Sequence, residues 1–307
     1  MLRVVNPGLK QVERGLGVDR CRVQLAVVLL SKVLHVVEAE SAGLEPLFSQ
    51  RRGTGVQVRT PKFLTMASVL VVGASSDVAQ RLIPVLLEAG HTVTGIARDA
   101  SRLSEFEHER FHAVIGDALD EAVLQDALAQ ASAEEPLSMV AHLVGSIVIR
   151  PPHAMKMDQF NEVIATNLGS AFLTLSVCGK AMMRSGGGRM VFTSSVAAGL
   201  GLVNHEAIAA AKGGLEAMVR SAAATYAKRG LRINAVAPSL TETRLAEPML
   251  RSDAARAASE AMVPIGRIGQ PEEVATTMAW LLDGAPDNLT GEVLHVDGGM
   301  GRVRAMG

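Results

Sequence analysis

Between Met66 and Gly307 the chain repeats one pattern, a short apolar run followed by a longer stretch with helical spacing. The runs are SVLVVG (68–73), HTVTGIA (91–97), FHAVIGD (111–117), LSMVAHLVG (137–145), GRMVFTSS (188–195), LRINAVA (231–237) and EVLHVDG (292–298). Helices are predicted over 77–90, 121–131, 158–184, 204–229 and 271–283, with a less regular segment at 239–264. The first helix has apolar residues at 78, 82, 85 and 86 and a glycine stop. Strands separated by helices imply βαβ units, right-handed crossovers and a parallel sheet. The expected fold is α/β, a doubly wound parallel sheet in a single domain over 66–307. With 48% hydrophobic residues and only 3% aromatics, such a domain packs a large core from small aliphatic side chains.

Residues 1–65 are of a different kind. They hold ten Lys and Arg against five Asp and Glu, whereas residues 66–307 hold twenty against twenty-six. They are expected to form a poorly ordered N-terminal extension, with a transit peptide or an accessory helix as the other readings. The apolar stretch VQLAVVLLSKVLHVV (23–37) is interrupted by Gln24, Ser31, Lys32 and His35, too short and polar to cross a bilayer. A net charge of −1 gives no electrostatic case for nucleic acid. Two cysteines, Cys21 and Cys178, do not make a disulfide framework, so a cytoplasmic location is expected. No metal site is expected.

The first strand, turn and helix read VVGASSDVAQRL. A glycine after a strand, then small residues and a helix, lets a pyrophosphate approach backbone N–H groups at the helix N-terminus. Gly73 is the one glycine of this loop; Asp77 and Ala79 stand where further glycines often occur. Ser75, Ser76, Asp77 and Val78 complete the candidate phosphate site, and Asp77 is expected as the helix N-cap.

Beyond this loop the chain resembles the short-chain dehydrogenase/reductase family over residues 67–300. The loop stands for the family's T-G-x-x-x-G-x-G. Asp117 and Ala118 resemble the adenine-contacting pair, and His142-Leu143-Val144-Gly145 stands for N-N-A-G. INAVAPSLTET (233–243) resembles the segment that contacts the nicotinamide, with Pro238 and Thr243 matching. PIGRIGQPEEVA (264–275) and TGEVLHVDGGM (290–300) are similar to the family's C-terminal run. The resemblance implies a Rossmann-type fold that binds NAD or NADP. At the end of the second strand alanine replaces the acid of NAD-preferring members, and Arg98 follows. A guanidinium suits a 2′-phosphate, so NADP is favoured, with NAD as the other option.

The family divides its chemistry among four residues. A serine holds the substrate oxygen, a tyrosine moves the proton, a lysine bonds the nicotinamide ribose and an asparagine anchors water. By position these are Ser195, Ile208, Lys212 and Asn167, so the tyrosine is replaced by a side chain with no proton. The chain's one tyrosine, Tyr226, lies fourteen residues after Lys212, roughly 21 Å along a helix. His205, seven residues before Lys212, falls on the same helical face. That spacing resembles the enoyl-thioester reductases, a branch with its tyrosine at this position, and histidine is a suitable acid. His142 falls where that branch also carries a histidine and is a candidate contact for cofactor or substrate.

The expected function is therefore an NADP-dependent oxidoreductase with an atypical centre, acting on a carbonyl or conjugated C=C. A catalytically silent NAD(P)-binding sensor or partner protein is the alternative. The Leu-, Met- and Ala-bearing segment 243–264 lies where the family has its substrate lid and suggests an apolar substrate. The Ala-rich stretch 207–224 would allow close helix–helix contact, and the family resemblance implies that such a helix forms a homodimer or homotetramer interface.

Overall fold

A computed structural model describes residues 66–303. The extension expected at 1–65 lies outside the described residues. Seven strands, β1 (Ser68–Val72), β2 (Thr92–Ala97), β3 (Phe111–Ile115), β4 (Leu137–His142), β5 (Gly188–Thr193), β6 (Leu231–Pro238) and β7 (Val293–Val296), form one sheet. Its order is β3-β2-β1-β4-β5-β6-β7, and every pairing is parallel. The order reverses between β1 and β4, which opens a crevice at the carboxyl ends of the strands.

The helices are α1 (Asp77–Glu88), α2 (Glu121–Ala131), α3 (Met157–Ile164), α4 (Ser170–Arg184), α5 (Glu206–Tyr226), α6 (Asp253–Ala261) and α7 (Pro271–Ala279). Side-chain alternation along β1 splits the core in two. Leu70 and Val72 pack with Leu124, Leu175, Met182, Phe192 and Leu215, on the side of α2, α4 and α5. Val69 and Val71 pack with Leu82, Leu86, Met278 and Leu281, on the side of α1 and α7. Because both faces of the sheet are covered, β1 is buried at all five residues, which explains its unbroken apolar run.

The long helix expected at 158–184 is present but not regular. Ala165–Gly169 form a π-helical turn between α3 and α4. Among the described residues, Met157–Arg184 is the one helix long and apolar enough to span a membrane. Its Leu175, Cys178 and Met182 face the sheet, as in a core helix. The segment expected to be irregular contains a short 3-10 turn (Glu247–Met249) and α6. No residue of α6 is buried, so that helix lies on the surface.

Candidate active site

Two glycines shape the crevice. Gly73 has a φ of +89°, and a Cβ there would come within 2.9 Å of the Leu143 carbonyl carbon. This position therefore needs glycine both for its backbone conformation and for the close approach of the β4 end. Gly145 follows β4, and a Cβ there would sit 3.2 Å from Asn167 Oδ1 and 3.7 Å from Lys212 Nζ.

Between these glycines and the segment after β6 lies a cleft of about 270 Å³. Ser76, Asp77, Val78, Gly145, Asn167, Ser195, Lys212, Pro238 and Thr243 line it, together with Ile208. Nine expected site residues, scattered over 168 positions of the chain, thus share one cavity. A larger cavity of about 610 Å³ lies on the outer side of Asp77, away from Ser195 and Lys212; its size does not make it the reaction centre.

Lys212 is on α5 and is buried. Its Nζ donates to the Thr193 carbonyl at 2.7 Å. Burial pushes its pKa down to about 8. An ammonium has three donors, and one is used within the described residues. Ser195 begins a 3-10 turn, and its Oγ accepts from Ala197 N at 3.2 Å, which leaves its own O–H free to donate. Ile208 is 4% exposed and forms part of the cleft wall at the position expected for the acid.

Asn167 is tied into the loop that follows β4. It sits in the π-helical turn, a local widening that turns one extra side chain toward the cleft. Its Oδ1 accepts from Ser146 N at 3.1 Å, and its Nδ2 donates to Ser146 Oγ at 2.9 Å and Val163 O at 3.0 Å. These bonds fix the Gly145–Ser146 loop against the helix and use both Nδ2 hydrogens, while Oδ1 keeps a second lone pair. Ser146 was not anticipated; its hydroxyl accepts from Asn167, which leaves its proton available in the cleft.

Both histidines depart from expectation. His205 is the N-cap residue of α5, one position before the helix begins, and its carbonyl accepts the first helical bond from Ala209 N at 2.8 Å. Its Nδ1–H donates to Val203 O at 2.7 Å, and the ring does not line the cleft. Asn204, at φ +62°, carries the tight turn that precedes it. His142 is fully buried beneath the sheet, its ring 5.7 Å from that of Phe192. Ser170 Oγ donates to Thr166 O, so at 3.1 Å it accepts from His142 Nε2–H and leaves Nδ1 bare. Burial, reinforced by the Lys212 charge, lowers the His142 pKa to about 3. It is a neutral core side chain.

At the phosphate end the N-cap of α1 is Ser76, whose Oγ accepts from Ala79 N at 3.2 Å. Asp77 is one residue further on and turns sideways. Its Oδ1 lies 2.9 Å from Arg102 and 3.3 Å from Arg244 Nε, and its Oδ2 accepts from Arg244 N at 2.7 Å. Neither arginine was anticipated. Arg102 sits in a charged turn with no local pattern, while its only sequence signal is proximity to the second strand. Arg98 is exposed at the end of β2. Asp117 is exposed beside buried Ala118 at the end of β3, its Oδ1 accepting from Leu119 N at 2.9 Å. Gly73, Ser75, Arg98, Asp117 and Ala118 lie outside the cleft lining.

With this geometry in place, similarity to known proteins is informative. A family model described as enoyl-(acyl carrier protein) reductase matches residues 73–301. The 3-oxoacyl-[acyl-carrier-protein] reductase FabG of Salmonella typhimurium is 33% identical over 237 residues, covering 75% of this chain and 96% of its own length. A tropinone reductase homologue of Arabidopsis thaliana is 29% identical, covering 76% of this chain and 91% of its own. Among solved structures, a short-chain type dehydrogenase/reductase from Mycobacterium ulcerans superposes with a TM-score of 0.72 at 25% identity, covering 77% of this chain and 91% of its own. A Beutenbergia cavernae protein described as an NAD(P)-dependent gluconate 5-dehydrogenase, solved with NADP bound, gives a TM-score of 0.72 at 26% identity over 78% of this chain and 98% of its own.

Proposed function

We propose that this chain, which belongs to the short-chain dehydrogenase/reductase family, is an NADP-dependent oxidoreductase that works without the usual tyrosine. The observation that carries this reading is Lys212, a buried ammonium beside Gly145 with donors left over for a ribose hydroxyl. The glycine-shaped cradle at Gly73 and Gly145 fits a dinucleotide lying along the carboxyl edge of the sheet. When bound, the nicotinamide supplies or accepts the hydride at a carbonyl or conjugated C=C.

The chain's own groups divide the remaining work. Ser195 donates its free O–H to the substrate oxygen. Lys212 holds the ribose and stabilises negative charge growing on that oxygen. Asn167 acts as a positioning residue for Gly145 and Ser146. Asp77, Lys212 and Arg244 are the ionisable groups in the cleft lining. An arginine keeps its proton, and Asp77 is an acceptor, so Lys212 Nζ is the group that yields a proton near neutrality. In reduction its proton goes to the oxygen as the C=O π pair moves there, and solvent reprotonates the amine. His205 is not the acid in this reading. Val144, Ile147, Leu240, Leu245 and Val274 line the cleft and support an apolar substrate. The Ala-rich stretch 207–224 on α5, which allows close helix–helix contact, supports self-association into a homodimer or homotetramer.

The catalytically silent binder remains the second reading because buried Ile208 occupies the acid's place. Thermal-shift titration with NADPH and NADH tests the shared premise; no shift with either at millimolar concentration removes both. NADPH oxidation across ketones and enoyl thioesters then separates them. Turnover in the wild type supports the oxidoreductase. Turnover gained only in Ile208→Tyr, by about 10²-fold or more, supports the silent binder.

A further inference from the structure

We infer that Arg102 and Arg244, gathered by Asp77, are the phosphate-recognising pair of this chain, and that Arg244 ties cofactor occupancy to the segment covering the cleft. This inference rests on the nicotinamide-cofactor reading above. Its starting point is the carboxylate at position 77. The Asp77 side chain is only 19% exposed, because both guanidiniums close over it. The same two groups also reach the Ser75 carbonyl, Arg102 at 2.6 Å and Arg244 at 2.8 Å.

Two positive charges against one negative leave an excess at the N-terminus of α1, where the helix dipole adds to it. Burial would raise the Asp77 pKa, but the Arg244 backbone N–H and the Arg102 guanidinium outweigh it and hold the carboxylate ionised. The loop thereby recovers through side chains the anion affinity that its missing glycines would have provided through close backbone approach. Arg102 is fixed in place from behind: Gln80 Nε2 donates to both Ala74 O, at 3.2 Å, and Arg102 O, at 3.3 Å.

Topology assigns each arginine its phosphate. The end of β2 borders the adenosine ribose in a fold of this kind, and Arg102 comes from the turn that follows β2. It is therefore placed for a 2′-phosphate, by exchanging the Ser75 carbonyl for phosphate oxygens while Asp77 keeps it oriented. Arg244 comes from the β6 side and is placed for the pyrophosphate. Its neighbours Thr243, Leu245 and Ala246 line the cleft, so its movement carries the cover with it. Arg98 has no ion pair or hydrogen bond with another side chain among the described residues. The 610 Å³ cavity beside the pair leaves room for the anion; five arginines (Arg81, Arg102, Arg244, Arg251 and Arg256) line it against three carboxylates (Asp77, Glu242 and Glu247).

The full chain would be titrated with NADPH and NADH by nicotinamide fluorescence, using wild type, Arg102→Ala, Arg244→Ala and Arg98→Ala. Arg102→Lys and Arg244→Lys control for folding. Arg102→Ala is expected to weaken NADPH about 10- to 100-fold and NADH less than about threefold, which erases the preference. Arg244→Ala is expected to weaken both about tenfold and to remove the NADPH-induced hydrogen-exchange protection of residues 240–250. Changes below about twofold in both alanine variants, or a preference erased by Arg98→Ala alone, overturn the inference and leave the proposed function standing. Wild type that binds neither nucleotide overturns the proposed function itself.

Discussion

The two ends of the cleft depart from the family pattern in opposite ways. In the reading proposed above, the nicotinamide end keeps Ser195, Asn167 and Lys212 to hold and orient, and has buried Ile208 where the family carries its proton-moving tyrosine. The phosphate end has lost backbone glycines at 77 and 79 and surrounds the gap with charged side chains. The contrast teaches that binding and chemistry are separable here. A phosphate can be gripped by guanidiniums as well as by backbone N–H groups, because only charge and donors are needed. An acid at a fixed point above a substrate has fewer replacements.

Lys212→Met is expected to have the largest effect and to sharpen the contrast most. It removes the ribose contact, so NADPH affinity falls about 10- to 100-fold. It also relieves a buried charge. The folded-state pKa is about 8 against an ordinary lysine value of 10.5, so the unfolded chain binds more protons between those values. Wild-type stability therefore rises with pH from about 8 to 10.5, and the variant should lack that rise. At pH 7 the variant should gain up to roughly 3 kcal/mol. Denaturant melts across that range check the slope. In the wild type, NADPH affinity should weaken above pH 8 as the ammonium is lost.

The acid limb of stability belongs to the floor of the nicotinamide end. His142 stays neutral in the fold down to about pH 3, whereas in the unfolded chain it charges near 6.5. Stability should therefore fall as pH drops from 6.5 toward 3, by about 2 kcal/mol at pH 5. His142→Leu should flatten that part of the curve whatever its stability at pH 7. A slope unchanged in the variant would place the acid sensitivity elsewhere.

At the phosphate end, Asp77→Asn is expected to raise the salt sensitivity of NADPH binding. It leaves two guanidiniums uncompensated, and exposed charges are screened by salt. Comparing dissociation constants at about 50 and 500 mM salt checks this, and equal slopes would remove Asp77 from the phosphate site. His205→Ala should have the smallest effect, changing nucleotide affinity and turnover by less than about twofold. A tenfold loss of turnover would restore the displaced-acid idea and break the contrast at its nicotinamide end.

Much of this molecule was legible in the chain itself. All seven strands were readable: the inner ones because a parallel sheet covered on both faces demands apolar runs, and the edge strands β3 and β7, which are largely not buried, because of their β-rich composition between helical stretches. The spacings of Ser195 and Lys212 were readable because each side chain is delivered by a regular element at a set distance from its end. His205 was misread because helical periodicity assumes that the helix has already begun, and the N-cap residue lies outside it. His142 was misread because a strand offers two faces, and nothing local says which of them is the cleft.

By itself, then, the order of residues determined the sheet, its crossovers and the crevice at the strand ends, since these follow from short-range periodicity and chain handedness. Only the tertiary structure decided how the loop manages without its glycines. Asp77, Arg102 and Arg244 are separated by 25 and 142 positions and belong to the start of α1, the turn after β2 and the segment after β6. Their association depends on where β2 and β6 end in space, and electrostatic pairing over such separations leaves no periodic trace in a sequence.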